Sequence, residues 1–183
     1  STIDATSFVQ AAGSGTTTFS GAVTTTGAAG VNVITDTIAL DNTITTTGGG
    51  IVTLNADTNT LTIAAAGNIN ADGAVTLTGT TGITTSADIT TTDDNVTFAS
   101  ATTLGDDITI DTGAAGGTIA FNDELDGTFD LALDAGTGNI DFDAAVGSNA
   151  VLDAISITDA TNVTADSTID ATSFVQAAGS GTT

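Results

Sequence analysis

Seven apolar-x-apolar units recur along the chain at a steady pace: Val31-Asn-Val33, Val52-Thr-Leu54, Val75-Thr-Leu77, Val96-Thr-Phe98, Ile119-Ala-Phe121, Ile140-Asp-Phe142 and Val163-Thr-Ala165. Their starts are spaced alternately by 21 and 23. Apolar residues at every second position mark a strand with one face turned inward. A strand that returns after about 22 residues marks a coil that buries its inner face only by stacking on its neighbours. The expected fold is all-β: a parallel β-helix, or β-solenoid, with seven to eight coils between Ser1 and Asp166. Further strand-like pieces lie between the units, at Ile38-Ala-Leu40 and Ile44, Leu61-Thr-Ile63 and Ile69, and Ile83 and Ile89, which predicts up to three short strands per coil.

One or two residues before each unit stands a residue tolerant of positive φ: Gly30, Gly50, Gly73, Asn95, Gly117, Asn139 and Asn162. These seven are expected to form the coil corners. The twelve leading apolar residues (Val31, Val33, Val52, Leu54, Val75, Leu77, Val96, Phe98, Ile119, Phe121, Ile140 and Phe142) are expected to fill the interior. Proline is absent. Stacked ladders commit backbone N–H groups above and below, and each proline would delete a donor. The alternative architecture is a string of β-sandwich modules, against which stands a beat that runs across any such boundary.

Residues Ser1 to Thr17 recur unchanged as Ser167 to Thr183. The chain thus reads as one repeat, 1–166, followed by the start of the next, 167–183. Tandem copying points to a chain selected for length rather than for one pocket. In an array, the stretch from Val163 to the next copy of Val31 would run through Thr183 and then through a further copy of 18–31. That is about one and a half coils, and predicts an irregular coil with an outward excursion around Phe174. The expected partner is the chain itself, through adjacent identical repeats end to end.

Composition removes whole classes of function. The chain has no Lys, Arg, His, Cys, Met, Trp or Tyr, and its 22 acidic residues give a net charge of −22. No side chain offers a neutral-pH base or an activated nucleophile, so the chain is expected not to be an enzyme. Imidazole and thiolate metal sites are excluded. Nucleic acid is excluded as a partner, since cations are needed to neutralise phosphates. No apolar run approaches the length of a membrane span, so no membrane insertion is expected. An acidic, Thr- and Gly-rich repeat without disulfides fits export to the cell surface or a secreted matrix.

The remaining candidate chemistry is acidic. Carboxylates crowd between Asp106 and Asp143, with Asp93 and Asp94 one coil earlier, and hard cations take several carboxylate and carbonyl oxygens. Asp93, Asp94, Asp106 and Asp107 are the Ca²⁺ candidates. The turns lack the spacing of known calcium repeats, and a solvated acidic face explains the same residues. No cofactor is expected beyond that candidate Ca²⁺. The triplets Thr24–Thr26, Thr45–Thr47 and Thr90–Thr92 read as outward strand threonines, and Asn95-Val-Thr97 and Asn162-Val-Thr164 match glycosylation sequons.

The stretches NVTFASATTLGDDITIDTGAAGGTIAFNDELDG from Asn95, DLALDAGTGNIDFDAAVG from Asp130 and TTTFSGAVTTTGAAGVN from Thr16 resemble the β-strand repeats of giant bacterial exoproteins of the filamentous-haemagglutinin-like kind. The resemblance implies secretion, a β-helical shaft and a surface or matrix role; it carries over no catalytic or ligand residue. The leading functional expectation is a structural repeat of a secreted filament or giant surface protein with a scaffold or adhesive role. The alternative is an adhesion module that binds a cation, a glycan or a host surface.

Overall fold

The computed structural model describes residues 1–177 and 179–183, and among them every regular element is a strand. The chain is a β-solenoid of about eight coils, of which the first six are each closed by three short parallel strands that belong to three different sheets. Sheet 1 holds nine strands, from Ile3–Ala5 to Ala171–Gln176; sheet 2 holds eight, from Phe8–Gln10 to Asn162–Ala165; sheet 3 holds six, from Thr16–Phe19 to Leu125–Asp126. Chain order cycles through sheets 1, 2 and 3 as far as Phe142, after which the third wall continues only as the isolated bridges of Val146 to Leu125 and of Ile169 to Val146.

All seven units of the sequence beat fall in sheet 2 and stand in register, Val31 on Val52, then Val75, Val96, Ile119, Ile140 and Val163. The intermediate pieces fill the other walls: Ile38, Leu61 and Ile83 stack in sheet 3, and Ile44, Ile69 and Ile89 in sheet 1. The twelve interior residues of the beat are each at most 1% exposed. β-Branched and aromatic residues at alternate positions form these strands because the pleat sends every second side chain inward, where it meets the same kind of residue from the coils on either side. Phe98, Phe121 and Phe142 stack face to face, with ring centroids 4.7 and 5.5 Å apart and planes within 10°.

Axial backbone bonds continue through the corners. Val31 N–H donates to the Ile51 carbonyl, Val52 to Ala74 and Val75 to Asn95, each at 2.9 Å, and Thr26, Thr47 and Thr92 just beyond the sheet 1 strands donate back to Ala5, Thr25 and Ala71 of the preceding coil. With donors engaged in both strands and bends, proline has no place.

The corner residues need a corrected explanation. Of the seven, only Gly30 has positive φ, at 56°. Gly50, Gly73 and Gly117 are glycine for lack of room: a Cβ on Gly73 would stand 2.8 Å from the Gly49 carbonyl oxygen, and one on Gly117 would stand 2.1 Å from the Asp94 carbonyl carbon. Asn95, Asn139 and Asn162 serve through their amides. Asn95 Oδ1 accepts from Thr118 N–H at 2.8 Å, Asn162 Nδ2 donates to Asn139 Oδ1 at 3.0 Å, and Asn162 Oδ1 accepts from Thr182 N–H at 2.9 Å. The sequence rule identified φ where the deciding term is the backbone of the adjacent coil.

Threonine also departs from expectation. The middle residue of each triplet, Thr25, Thr46 or Thr91, points inward and is buried. Thr46 and Thr91 donate to the carbonyls of Gly50 and Asp94 across their own bend, and Thr112 does the same to Gly117 at 2.8 Å. In these three the hydroxyl satisfies a carbonyl that the tight corner turns inward, whereas the buried Thr25 hydroxyl has no hydrogen-bond partner among the described residues. The expected irregular coil is absent from the described residues. After Val163 the chain passes to Ile169, bridged to Val146 of the sheet 3 wall, and then to Ala171–Gln176 in sheet 1.

Phe121, the central ring of the stack, is the sharpest probe of this core. Phe121→Ala is expected to destabilise the solenoid by about 3–5 kcal/mol, read as a lowered midpoint in chemical unfolding. An unchanged midpoint would place the ring stack outside the cooperative core.

Candidate functional site

The surface feature that recurs from coil to coil is a file of Asn and Asp residues immediately before the sheet 1 strands. Asn68, Asp88, Asp107 and Asp130 precede Ile69, Ile89, Ile108 and Leu131. Each side chain reaches along the rod to the next coil: Asn68 Oδ1 accepts from Asp88 N–H at 3.1 Å, Asp88 Oδ1 from Thr109 N–H at 2.7 Å, Asp107 Oδ1 from Asp130 N–H at 2.9 Å and Asp130 Oδ1 from Ala154 N–H at 2.9 Å. A carboxylate accepting a backbone N–H makes a charge-assisted bond. Here it joins consecutive coils at a bend, where the strand ladder is interrupted.

The four Ca²⁺ candidates do not converge. Asp107 belongs to this file, and Asp106 caps its own turn by accepting from Asp107 N–H at 3.0 Å. Asp93 stands at a different corner, between sheets 1 and 2. It is the one non-glycine with positive φ among the described residues, at 62°. Its Oδ1 accepts from Ala115 N–H at 2.8 Å and from Gly116 N–H at 3.3 Å in the next coil. Asp94 beside it supplies the carbonyl that takes the Thr91 hydroxyl. Among the described residues, no group of three or more acidic side chains is placed to hold a metal ion.

Sequence reasoning passed over Asp126, which holds the most extensive carboxylate network. Its Oδ1 accepts from Asn149 N–H at 2.8 Å and Ala150 N–H at 3.1 Å, and its Oδ2 from Asn149 Nδ2 at 2.9 Å. Partial burial works against its charge, but the bonds from Asn149 and Ala150 outweigh it and hold the carboxyl below its ordinary value of 3.8. The available signal was spacing: Asp126 and Asn149 are one coil apart in the sequence, as a carboxylate and its axial donor must be. Asn95 and Asn162, the two sequon asparagines, are engaged in axial bonds by their amides.

Chemically, the arrangement is a set of acceptors directed along the rod. Each carboxylate leaves lone pairs to solvent, so the surface is strongly anionic while its backbone donors stay satisfied. Compared with protein-family models, curated proteins and solved structures, the chain matches none.

Two outcomes follow from these corners. Asp93→Ala loses both axial bonds and keeps the left-handed bend, which costs an L-residue roughly 1–2 kcal/mol. Asp93→Gly loses the bonds but relieves the bend, so its unfolding midpoint should lie above that of Asp93→Ala; the reverse order would count against the backbone account. For Asp126, a folded-state pKa below the unfolded one contributes stability that is present above pH 3.8 and is lost as pH falls through the lower folded value. Asp126→Asn keeps an acceptor but cannot titrate, so its acid-unfolding profile should be shallower than that of the parent chain below that pH. The difference should be well under about 1 kcal/mol, because the group is largely solvated.

Proposed function

We propose that the chain is a structural repeat of a secreted filament or giant surface or matrix protein. Its role is to hold a stiff shaft by axial stacking of coils, with scaffolding or adhesion as the outcome. The observation that carries this reading is that axial hydrogen bonds join each coil to the next from the first to the last, while the chain restarts its own sequence at Ser167. A body bonded in one direction, whose sequence repeats in that direction, extends by addition of further copies. The resemblance of its strand repeats to those of giant bacterial exoproteins supports the same reading, as does the absence of Lys and Arg, which leaves trypsin-like proteases no cleavage point. The proposed place of action is outside the cell, at its surface or in a secreted matrix. The proposed partner along the rod is another copy.

Electron microscopy of the native material tests this. With strands about 4.8 Å apart, the seven to eight coils of one repeat give an axial length of roughly 34–38 Å. Thin filaments with that axial period are expected, unchanged by a calcium chelator because the carboxylates are used as axial acceptors. Filaments that dissolve in chelator would transfer the role to bound Ca²⁺ and to a cation-dependent adhesion module. Discrete particles in both conditions would overturn the structural reading.

A further inference from the structure

The two identical segments do not occupy the same sheets. In the first copy Ile3 lies in sheet 1, Phe8 in sheet 2 and Thr16 in sheet 3. In the second copy Ile169, the counterpart of Ile3, bridges Val146 on the sheet 3 wall. Phe174, the counterpart of Phe8, pairs with Ile155 in sheet 1. Val163 N–H of sheet 2 donates to the Thr182 carbonyl at 2.9 Å, the relation that Val31 bears to Ile51 when it pairs with Val52. Thr183, the counterpart of Thr17, therefore stands over Val163 in sheet 2. Every part of the segment has moved back by one wall.

The local form of the segment survives the move. Thr17 Oγ1 donates to Gln10 Oε1 at 2.9 Å, and Thr183 Oγ1 donates to Gln176 Oε1 at 2.7 Å. A Cβ on Gly13 would meet Gln10 Nε2 at 2.4 Å and one on Gly179 would meet Gln176 Nε2 at 2.3 Å. These contacts between the glutamine, glycine and threonine recur in both places, on a different face of the rod.

We propose that the end coil formed by Ile169 and Ala171–Gln176 is the docking surface for the body of the following copy of this repeat, and that each copy is set one-third of a turn out of phase with the one before. Ile3 takes the first strand position of the chain and Ile169 the twenty-fourth, so one repeat advances by seven full coils and two walls of an eighth. The sequence interval agrees. At three walls per coil, the stretch from Val163 to the next copy of Val31 divides into five wall positions; an in-phase copy would need three or six.

The end coil is shaped for that occupant. An apolar groove lined by Val163, Ala165, Ile169, Phe174 and Thr183 opens at this end, and Phe174 is 39% exposed. In the first copy Phe8 is covered by Phe19, with ring centroids 5.3 Å apart in an edge-to-face contact, and Phe19 is only 3% exposed. The counterpart of Phe19 falls two residues beyond Thr183 and so above Ala165, in the groove beside Phe174. Ala165 itself stacks on Phe142, so the small residue leaves space where the aromatic column resumes. After three copies the walls realign. The file of Asn68, Asp88, Asp107 and Asp130 is then presented on each of the three faces in turn, and the rod has no single acidic side.

This rests on the reading of the chain as one unit of an array, and disulfide trapping separates the two. The chain has no cysteine, so introduced pairs report without background. Val175 is the outward register partner of Ser156; an in-phase segment would instead bring Val175 beside Thr164. Parallel partners in adjacent strands lie within disulfide reach. Three double variants are made in the chain ending at Thr183 and in that chain continued through a second copy of 18–166, then oxidised with oxidised glutathione and assayed for free thiols. Ser156→Cys with Val175→Cys is expected to close in both chains, and Thr164→Cys with Val175→Cys to stay reduced. Ala132→Cys with Ser156→Cys, register partners in either phase, closes in any folded solenoid and identifies an unfolded variant. Closure of the Thr164–Val175 pair, or of neither Val175 pair while the third closes, would overturn the phase shift. Filaments seen alongside the wrong cross-link would leave the array reading intact; discrete particles alongside the expected cross-link would remove the array and keep the wall assignment.

Discussion

The axial backbone hydrogen bond is the interaction on which the rest of this structure depends. A single coil has too little interior to stay folded alone, and it gains order only when its N–H and C=O groups meet those of the coils on either side. That requirement reaches every residue. It removes proline, because donors are committed in bends as well as strands. It forces each coil to follow the outline of its neighbour, so Gly73 and Gly117 are glycine because another coil's backbone lies where a side chain would be. It also gives the polar residues their direction: Asp88, Asp107 and Asp130 point along the rod because the nearest unsatisfied donor is one coil away.

The walls of the solenoid were legible in the sequence because they obey a local rule. Alternation of Val, Leu, Ile and Phe at period two marks a strand wherever it occurs, and its regular return marks the coil, so seven of the eight strands of sheet 2 are legible in the sequence, all but Phe8–Gln10, and parts of sheets 1 and 3 with them. The bends were located but misread, since local reasoning attributes Gly and Asn to φ whereas Gly73 and Asn139 answer to a neighbour in the adjacent coil. Thr46 was misread for the same reason. Its hydroxyl points inward to a carbonyl that only the closed corner turns toward it. Among the acidic residues, sequence crowding suggested a shared ion, and the fold instead assigns Asp93 and Asp106 to separate corners with separate donors. Crowding along a chain is a poor guide to crowding in space when a coil distributes successive residues over three walls.

The charge follows from the same geometry. In-register stacking places like beside like, which suits Phe on Phe but sets Asp111 directly beside Asp134. Two unit charges at about one strand spacing repel by roughly 1 kcal/mol in water, and the effect falls with added salt. The N–H groups that each carboxylate receives offset this repulsion locally. Asp111 Oδ1 accepts from Gly113 N–H at 2.8 Å and Asp134 Oδ1 from Gly136 N–H at 3.1 Å. The surface can therefore remain strongly anionic, which in the proposed array would keep rods apart sideways while their open end coils could still pair.

Attraction at the ends is also the hazard of this architecture, because an uncovered end coil is an open edge that any extended chain can join. Specificity then has to come from something other than the ladder, which is the same for every sequence. In the proposed array the groove beside Phe174 supplies it through shape: the aromatic column that ends at Phe142 gives way to Ala165, which leaves room above it for a large residue of the entering strand. If the copies are joined in one polypeptide, as proposed, the next segment reaches this groove at a high effective concentration, ahead of strands from other molecules. The identity of Ser1–Thr17 with Ser167–Thr183 thus has a physical reading beyond duplication. One segment with a fixed internal bend seats on two different walls, because the wall is chosen by the number of strand positions that precede it and not by the segment itself.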